Sequence, residues 1–335
     1  MKKNLLPILV LLLLGGAATY FYITNSGSTL KPELTDYAVK DTSAITKIFL
    51  ADKRGNQILL ERKSERQWTV NSDFIARQDG INNLLDAIAR VQIKTPINKA
   101  AYETTLKQIA SAGIKVEIYT DSDSPMKVYY VGGASQDHTG TKMLLKGSST
   151  PHLTHVSGMY GFLTPRYFTS INEWKDRAIF RYQYGEIAKI RVEYPQDPTE
   201  SFEITDLGNN QFSVLDITKN FEIERYDTLA LLEYIARFQN IHYEGFEETK
   251  TDIYIAGIKE TTPQQIYSVT DKLGNVKVCT TYLKPAHEDA TDLEGNKIYF
   301  DLERFYASVD GEDFVVIQHF LFDNLQRKLS DFQQP

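Results

Sequence analysis

The sequence predicts an α+β protein: an N-terminal single transmembrane helix followed by two homologous modules of antiparallel sheet with helices. Three observations predict it. Residues 84–92 read LLDAIARVQ and residues 231–239 read LLEYIARFQ, six of nine identical. Around both stretches apolar and polar residues alternate, the pattern of half-buried strands. Ahead of both, residues 5–24 carry no charge.

That first element reads LLPILVLLLLGGAATYFYIT. Twenty helical residues at about 1.5 Å each reach about 30 Å, the thickness of a hydrocarbon core. Lys2 and Lys3 precede it, and the first lysine beyond it is Lys31. The positive-inside rule keeps the start of the chain in the cytoplasm and exports everything after residue 25. Tyr20, Phe21 and Tyr22 suit the outer interface. The competing reading is a cleaved signal peptide, because small residues 15–18 follow an apolar run. No Cys stands at the end of the run, which rules out lipoprotein processing. The expected location is the inner, cytoplasmic membrane, crossed once, with the bulk of the chain on the periplasmic side. Lipid is the expected partner of residues 5–24. The organisation reads 1–24 anchor, 25–43 polar linker, 44–178 module 1 and 179–335 module 2.

The second observation extends well beyond nine residues. Ile45-Thr46-Lys47-Ile48 matches Ile187-Ala188-Lys189-Ile190, Gln67-Trp68-Thr69-Val70 matches Gln211-Phe212-Ser213-Val214, and Lys127-Val128 matches Lys277-Val278. The order is kept while the offset grows from 142 to 150, as small loop insertions in the second copy would make it. A period this long is a domain duplication, not a solenoid.

Within each copy the elements follow in order. Ile48, Leu50, Ile58 and Leu60 alternate with polar residues around DKRG, which predicts a hairpin. Trp68 and Val70 face one way on a third strand. Leu84, Leu85, Ile88 and Val91 fall at helical spacing, as do Leu231, Leu232, Ile235 and Phe238. Asp79 and Asp227 sit where N-caps are expected, and Pro96 is expected to stop the first helix. A second helix, residues 100–112, ends at Gly113. GIKVEIYTD, MKVYYVGG and KMLLKG read as strands.

Composition narrows the function. Hydrophobic content of 42% and charged content of 24% are those of a globular chain. Net charge is −7, and −9 once Lys2 and Lys3 are set aside. Such a surface repels phosphate backbones, so nucleic acid is not an expected partner. The lone Cys279, among strand formers, excludes an internal disulfide and reads as a small buried hydrophobe.

The segments DYAVKDTSAITKIFLADKRGN, QWTV, LLDAIARVQIKTPI, GIKVEIYT, VYYVGG and NEWKDRAIF resemble the exported proteins grouped as domain of unknown function 4340. The resemblance runs from about Tyr37 to the C-terminus and covers the repeat twice. It implies an anchored or secreted envelope protein, with some relatives encoded beside ATP-binding-cassette transport systems used in export and gliding. It implies no catalytic residue.

The residues themselves offer little chemistry. GGASQDHTGTK (132–142) is not a P-loop, since Thr141 separates the last Gly from Lys142 and a strand follows; it reads as a hairpin loop. His152 and His155, three apart on an extended segment, point to opposite faces; with His138 they make a weak metal candidate. HVSGMYG lacks the first glycine of a nucleophile elbow at Ser157. HEDATDLEG (287–295) is acidic but lacks the spacing of a calcium loop, although Asp289, Asp292 and Glu294 could hold a divalent cation. No cofactor is expected. The richest aromatic segment, 159–184, offers a candidate partner or ligand surface: Tyr160, Phe162, Arg166, Tyr167, Phe168, Trp174 and Arg181. The competing reading packs that segment between the modules. The functional expectation is a non-enzymatic accessory or scaffold protein of an envelope membrane complex, transport complexes included, with a membrane protein as partner. The alternatives are a glycan- or peptide-binding module, or a hydrolase with dispersed catalytic residues.

Overall fold

The computed structural model describes residues 14–16, 19–20 and 35–333. Most of the expected anchor, residues 5–24, and about half of the linker therefore lie outside the described residues. Among the described residues no helix is long and apolar enough to cross a membrane. The chain divides into two compact units, Met1–Asp176 and Arg177–Pro335, two residues short of the expected boundary. Both are α+β, each built on a large antiparallel sheet.

In the first unit β1 (Lys47–Ala51), β2 (Gln57–Ser64), β3 (Gln67–Val70) and β4 (Phe74–Ile75) form a meander. Helix α1 (Gln78–Arg90) follows, then β5 (Val91–Pro96), α2 (Tyr102–Ala112), β6 (Ile114–Tyr119), β7 (Lys127–Ala134), β8 (Thr141–Leu145), β9 (His152–Val156) and the short α3 (Ile171–Trp174). The strand order is β4-β3-β2-β1-β6-β7-β8-β9-β5. Period-two alternation sends Ile48, Leu50, Leu60, Val70, Val116 and Ile118 to one face, where Leu84, Ala87 and Ile88 of α1 complete the core.

Helix α2 packs on β7 at Gly132, where a Cβ would lie 2.9 Å from the Ile109 side chain. It ends at Gly113, whose φ is −74°; glycine is required there by close approach, since a Cβ would lie 2.4 Å from the Ile109 carbonyl oxygen.

Two sequence expectations need correction here. Asp79 is not an N-cap: the cap is Arg77, and the Asp79 carboxylate sits in the first turn, bonded to the Arg77 guanidinium at 3.0 and 2.9 Å. Pro96 does not stop α1. The helix ends at Arg90, and Val91, Ile93 and Thr95 continue as β5, because β9 offers the ladder that closes the sheet.

The second unit comprises β10 (Ala178–Phe180), β11 (Ile187–Glu193), β12 (Phe202–Gly208), β13 (Gln211–Asp216), β14 (Phe221–Glu222), α4 (Thr228–Ala236), β15 (Ile241–His242), β16 (Gly245–Phe246), α5 (Asp252–Lys259), β17 (Ile266–Asp271), β18 (Val276–Tyr282), β19 (Arg304–Val309), β20 (Asp313–Gln318) and α6 (His319–Phe322). Its large sheet runs β14-β13-β12-β11-β17-β18-β19-β20-β16, the order of the first sheet strand for strand. Even the irregularities correspond: the β2–β3 register slips between Arg62 and Ser64, the β12–β13 register between Asp206 and Gly208. Asp227 does cap α4, accepting from the N–H groups of Leu229 and Ala230 at 2.9 and 3.1 Å.

One turn is used three times. Asp52-Lys53-Arg54-Gly55-Asn56, Asp271-Lys272-Leu273-Gly274-Asn275 and Asp292-Leu293-Glu294-Gly295-Asn296 share the pattern D-x-x-G-N. In each, the carboxylate accepts from two backbone N–H groups of the turn and from the asparagine amide, and the glycine takes a φ near +90° that disfavours a side chain.

Candidate functional site

Where the two units match, residues serve the fold; the second unit departs from the first most visibly between β18 and β19. In the first unit the equivalent strands, β7 and β8, are joined by the turn at 135–140. In the second, residues 283–303 form a projecting arm. Antiparallel bridges Pro285–Phe300 and Thr291–Lys297 zip it, and the third D-x-x-G-N turn closes its tip. The arm carries six acidic residues against two basic ones. Leu293 at the tip is fully exposed, and Tyr299 and Leu302 are 71% and 68% exposed.

A cleft of about 540 Å³ lies at the arm's base, lined by Lys284 and His287 of the arm, Arg304 and Tyr306 of β19, Tyr254 of α5 and the Glu244–Lys250 connection. Arg304, Lys284, Glu244 and Glu247 are held by hydrogen bonds. The Arg304 guanidinium grips Glu244 with two bonds, 2.7 and 3.2 Å, and reaches Glu303 at 3.0 Å. Lys284 Nζ lies 2.6 Å from Asp301. The buried Tyr306 donates to Glu247 at 3.0 Å.

These contacts set the protonation states. Burial of Glu247 raises its carboxyl, but bonds from Thr249 and Tyr306 and the nearby Lys250 outweigh that and hold it below the ordinary range. Asp301 is likewise lowered: burial opposes, while Lys284 and two backbone N–H groups prevail. Burial, with Glu247 beside it, pushes the Tyr306 hydroxyl up. These three groups therefore keep their usual charge at neutral pH, and the cleft presents fixed charges.

The sequence-predicted surface is dispersed. Tyr160 is fully exposed. Phe162 is half-buried, its ring 5.8 Å from His138. Arg166 bonds Asp86 of α1 at 2.8 Å. Tyr167 is completely buried, its hydroxyl 3.2 Å from that of Tyr129. Trp174 is also completely buried; its indole donates to the Phe168 carbonyl at 2.9 Å and the two rings lie 4.1 Å apart. Arg181 is exposed and belongs to the second unit. Tyr167 and Trp174 thus present no surface, because the first unit's core takes them in.

The remaining candidates are also placed. His152 is buried, with Nδ1 3.0 Å from the Tyr37 hydroxyl, and burial lowers its pKa. His155 lies on the other face of β9, so the two do not converge. Residues 135–140 are a turn in which Asp137 accepts from Ser135 and Thr139. Asp292 spends its carboxylate on the arm's tip. Cys279 is buried in β18, which pushes its thiol up. Among the described residues no group of three or more His, Cys, Asp or Glu is arranged to hold a metal.

The arm and cleft escaped sequence reading. The available signal was the wider spacing between the counterparts of MKVYYVGG and KMLLKG, since Lys277 sits 150 beyond Lys127 whereas Arg304, which opens β19, sits 163 beyond Thr141, which opens β8. Compared with family models, curated proteins and solved structures, the chain matches none.

Proposed function

We propose that this chain is a non-enzymatic, extracytoplasmic accessory subunit of an envelope membrane complex, anchored by residues 5–24. In this reading it descends from a duplicated module of the domain of unknown function 4340 type. Its first copy maintains the fold, and its second copy meets the partner. The arm at 283–303 carries the reading: an insertion in one of two copies, with exposed leucines and a tyrosine on an acidic hairpin, is a recognition element. A partner presenting apolar pockets within a basic rim is its complement. The cleft favours a second reading, a peptide or glycan bound against Tyr254 and the Glu244–Lys250 connection.

The test is a gentle pull-down of the full-length protein from membranes, beside a variant in which 283–303 is replaced by residues 135–140. Recovery of a membrane partner by the parent and its loss from the variant is the expected result. Equal recovery by both removes the arm from the interface, and no recovery by either removes the accessory role.

A further inference from the structure

The duplication exposes a second difference, independent of the arm. In the first unit the space between the start of β1, the β2–β3 hairpin and α1 is plugged. Trp68, 1% exposed, fills it. The Arg62 guanidinium lies 4.9 Å over the indole and donates to the carbonyls of Thr42 at 2.7 Å and Ser43 at 3.0 Å. That tie draws the chain ahead of β1 down as a cover.

The matched register makes the corresponding positions unambiguous: Arg62 opposes Trp68, and Asp206 opposes Phe212. In the second unit the smaller Phe212 replaces the indole, and Asp206 replaces the arginine. A carboxylate cannot donate to the carbonyls of the covering segment. It accepts instead from Lys272 at 2.7 Å and from the Gly208 N–H at 2.8 Å. The covering segment, now Tyr184-Gly185, is held by Tyr184 donating to Asn210 at 3.0 Å. Asn209 and Asn210 form the hairpin's tip with φ of 52° and 57°. A cavity of about 270 Å³ opens beneath, walled by Ile190, Ile204, Phe212, Leu232 and Ile235.

We propose that this cavity is a binding site for a single-chain amphiphile. An apolar cavity of about 150 Å³ stays dry and takes up benzene, so one of this size has room for roughly eight to ten carbons. Ile187, Ile190, Ile204, Phe212, Leu232 and Ile235 supply the apolar part of its lining, and Lys272, Asp206, Asn209, Asn210 and Tyr184 supply the polar part. Lys272 has three donors and Asp206 takes one, which leaves hydrogen bonds for an accepting head such as a carboxylate. The ligand lies with its chain against α4 and its head at Lys272.

The experiment is calorimetric titration of the full-length protein in nanodiscs with octanoate, beside Phe212→Trp and the double variant Phe212→Trp/Asp206→Arg, which restore the plug alone and the plug together with the tie of the first unit. Far-UV circular dichroism confirms that each is folded. The parent should show saturable one-site binding, and either folded variant should weaken it at least tenfold. Parent and folded variants that titrate alike, or a parent without saturable binding, would overturn the site. A failure of the arm to recover a partner leaves this outcome unchanged, because the two sites share no residue.

Discussion

Replacing Trp174 with alanine separates a core indole from a surface one. The side chain is fully buried, against Phe168 and within 3.4 Å of where a Cβ on Gly80 would stand. A buried tryptophan hides about 200 Å², which at about 25 cal/mol per Å² gives roughly 5 kcal/mol. That is an upper figure, since the unfolded chain already hides part of it. Measured Trp→Ala changes in cores cost about 3–5 kcal/mol. The Phe168 carbonyl also loses its donor. The expected destabilisation is about 4 kcal/mol, and with a urea slope of about 2 kcal/mol/M the midpoint falls by about 2 M. The chain has two tryptophans, Trp68 and Trp174, both in the first unit. Fluorescence of Trp68 therefore follows the unfolding of the very unit that was perturbed. Tyr160→Ala, at a fully exposed site in the same segment, is the control and should change stability by less than about 0.5 kcal/mol. A Trp174→Ala midpoint within about 0.5 M of the parent would refute the core assignment and return the indole to the surface.

Two further predictions rest on single carboxylates. Asp227→Ala should cost about 1 kcal/mol, because two α4 N–H groups lose their acceptor, whereas Asp79→Ala, an exposed partner of Arg77, should cost under about 0.5 kcal/mol. Urea midpoints followed by circular dichroism decide it, and equal losses would make the two positions equivalent caps. Asp52 supplies a pH dependence: its burial raises the carboxyl, but bonds from Asn56, Thr169 and two backbone N–H groups hold it well below the ordinary 3.8. As pH falls below about 4 the unfolded chain takes up the proton first. The stability Asp52 contributes is therefore full above that value and is lost as pH falls through the lower folded one. Asp52→Asn should be less stable at neutral pH and lose less on acidification, and parallel stability–pH curves for the two proteins would contradict this.

Local signals in the chain were legible wherever physics is local. The D-x-x-G-N turn at Asp52, the alternation in β1 and β2 and the apolar stripe of α1 follow from residues near one another in sequence. Register was legible too, through the paired strings QWTV and QFSV. What failed depended on distant partners. The apolar series Leu84, Leu85, Ile88, Val91 runs without a break from helix into strand, and only β9, some sixty residues later, makes Val91 extended. The aromatics at 159–174 look alike in letters. Whether a tryptophan faces solvent or a core is decided by α1 and the main-chain acceptor at Phe168, neither of which the segment itself announces.

The duplication converts this chain into its own control. When two copies keep the same strand order and the same register slips, a residue shared by both is explained by the fold they share. A functional argument must then start from the differences, and these are unevenly spread. The first copy tightens its weak point, with Trp68 and Arg62 closing the hairpin onto the segment ahead of β1. The second copy loosens the same point through Phe212 and Asp206 and extends a hairpin into an arm. Opening a cavity forfeits contact energy, and exposing Leu293 and Leu302 forfeits apolar burial. A copy under pressure only to fold would keep neither change, since its sibling displays the more stable alternative within the same chain. That asymmetry, more than any single residue, is why we propose that the recognition surfaces lie in the second unit.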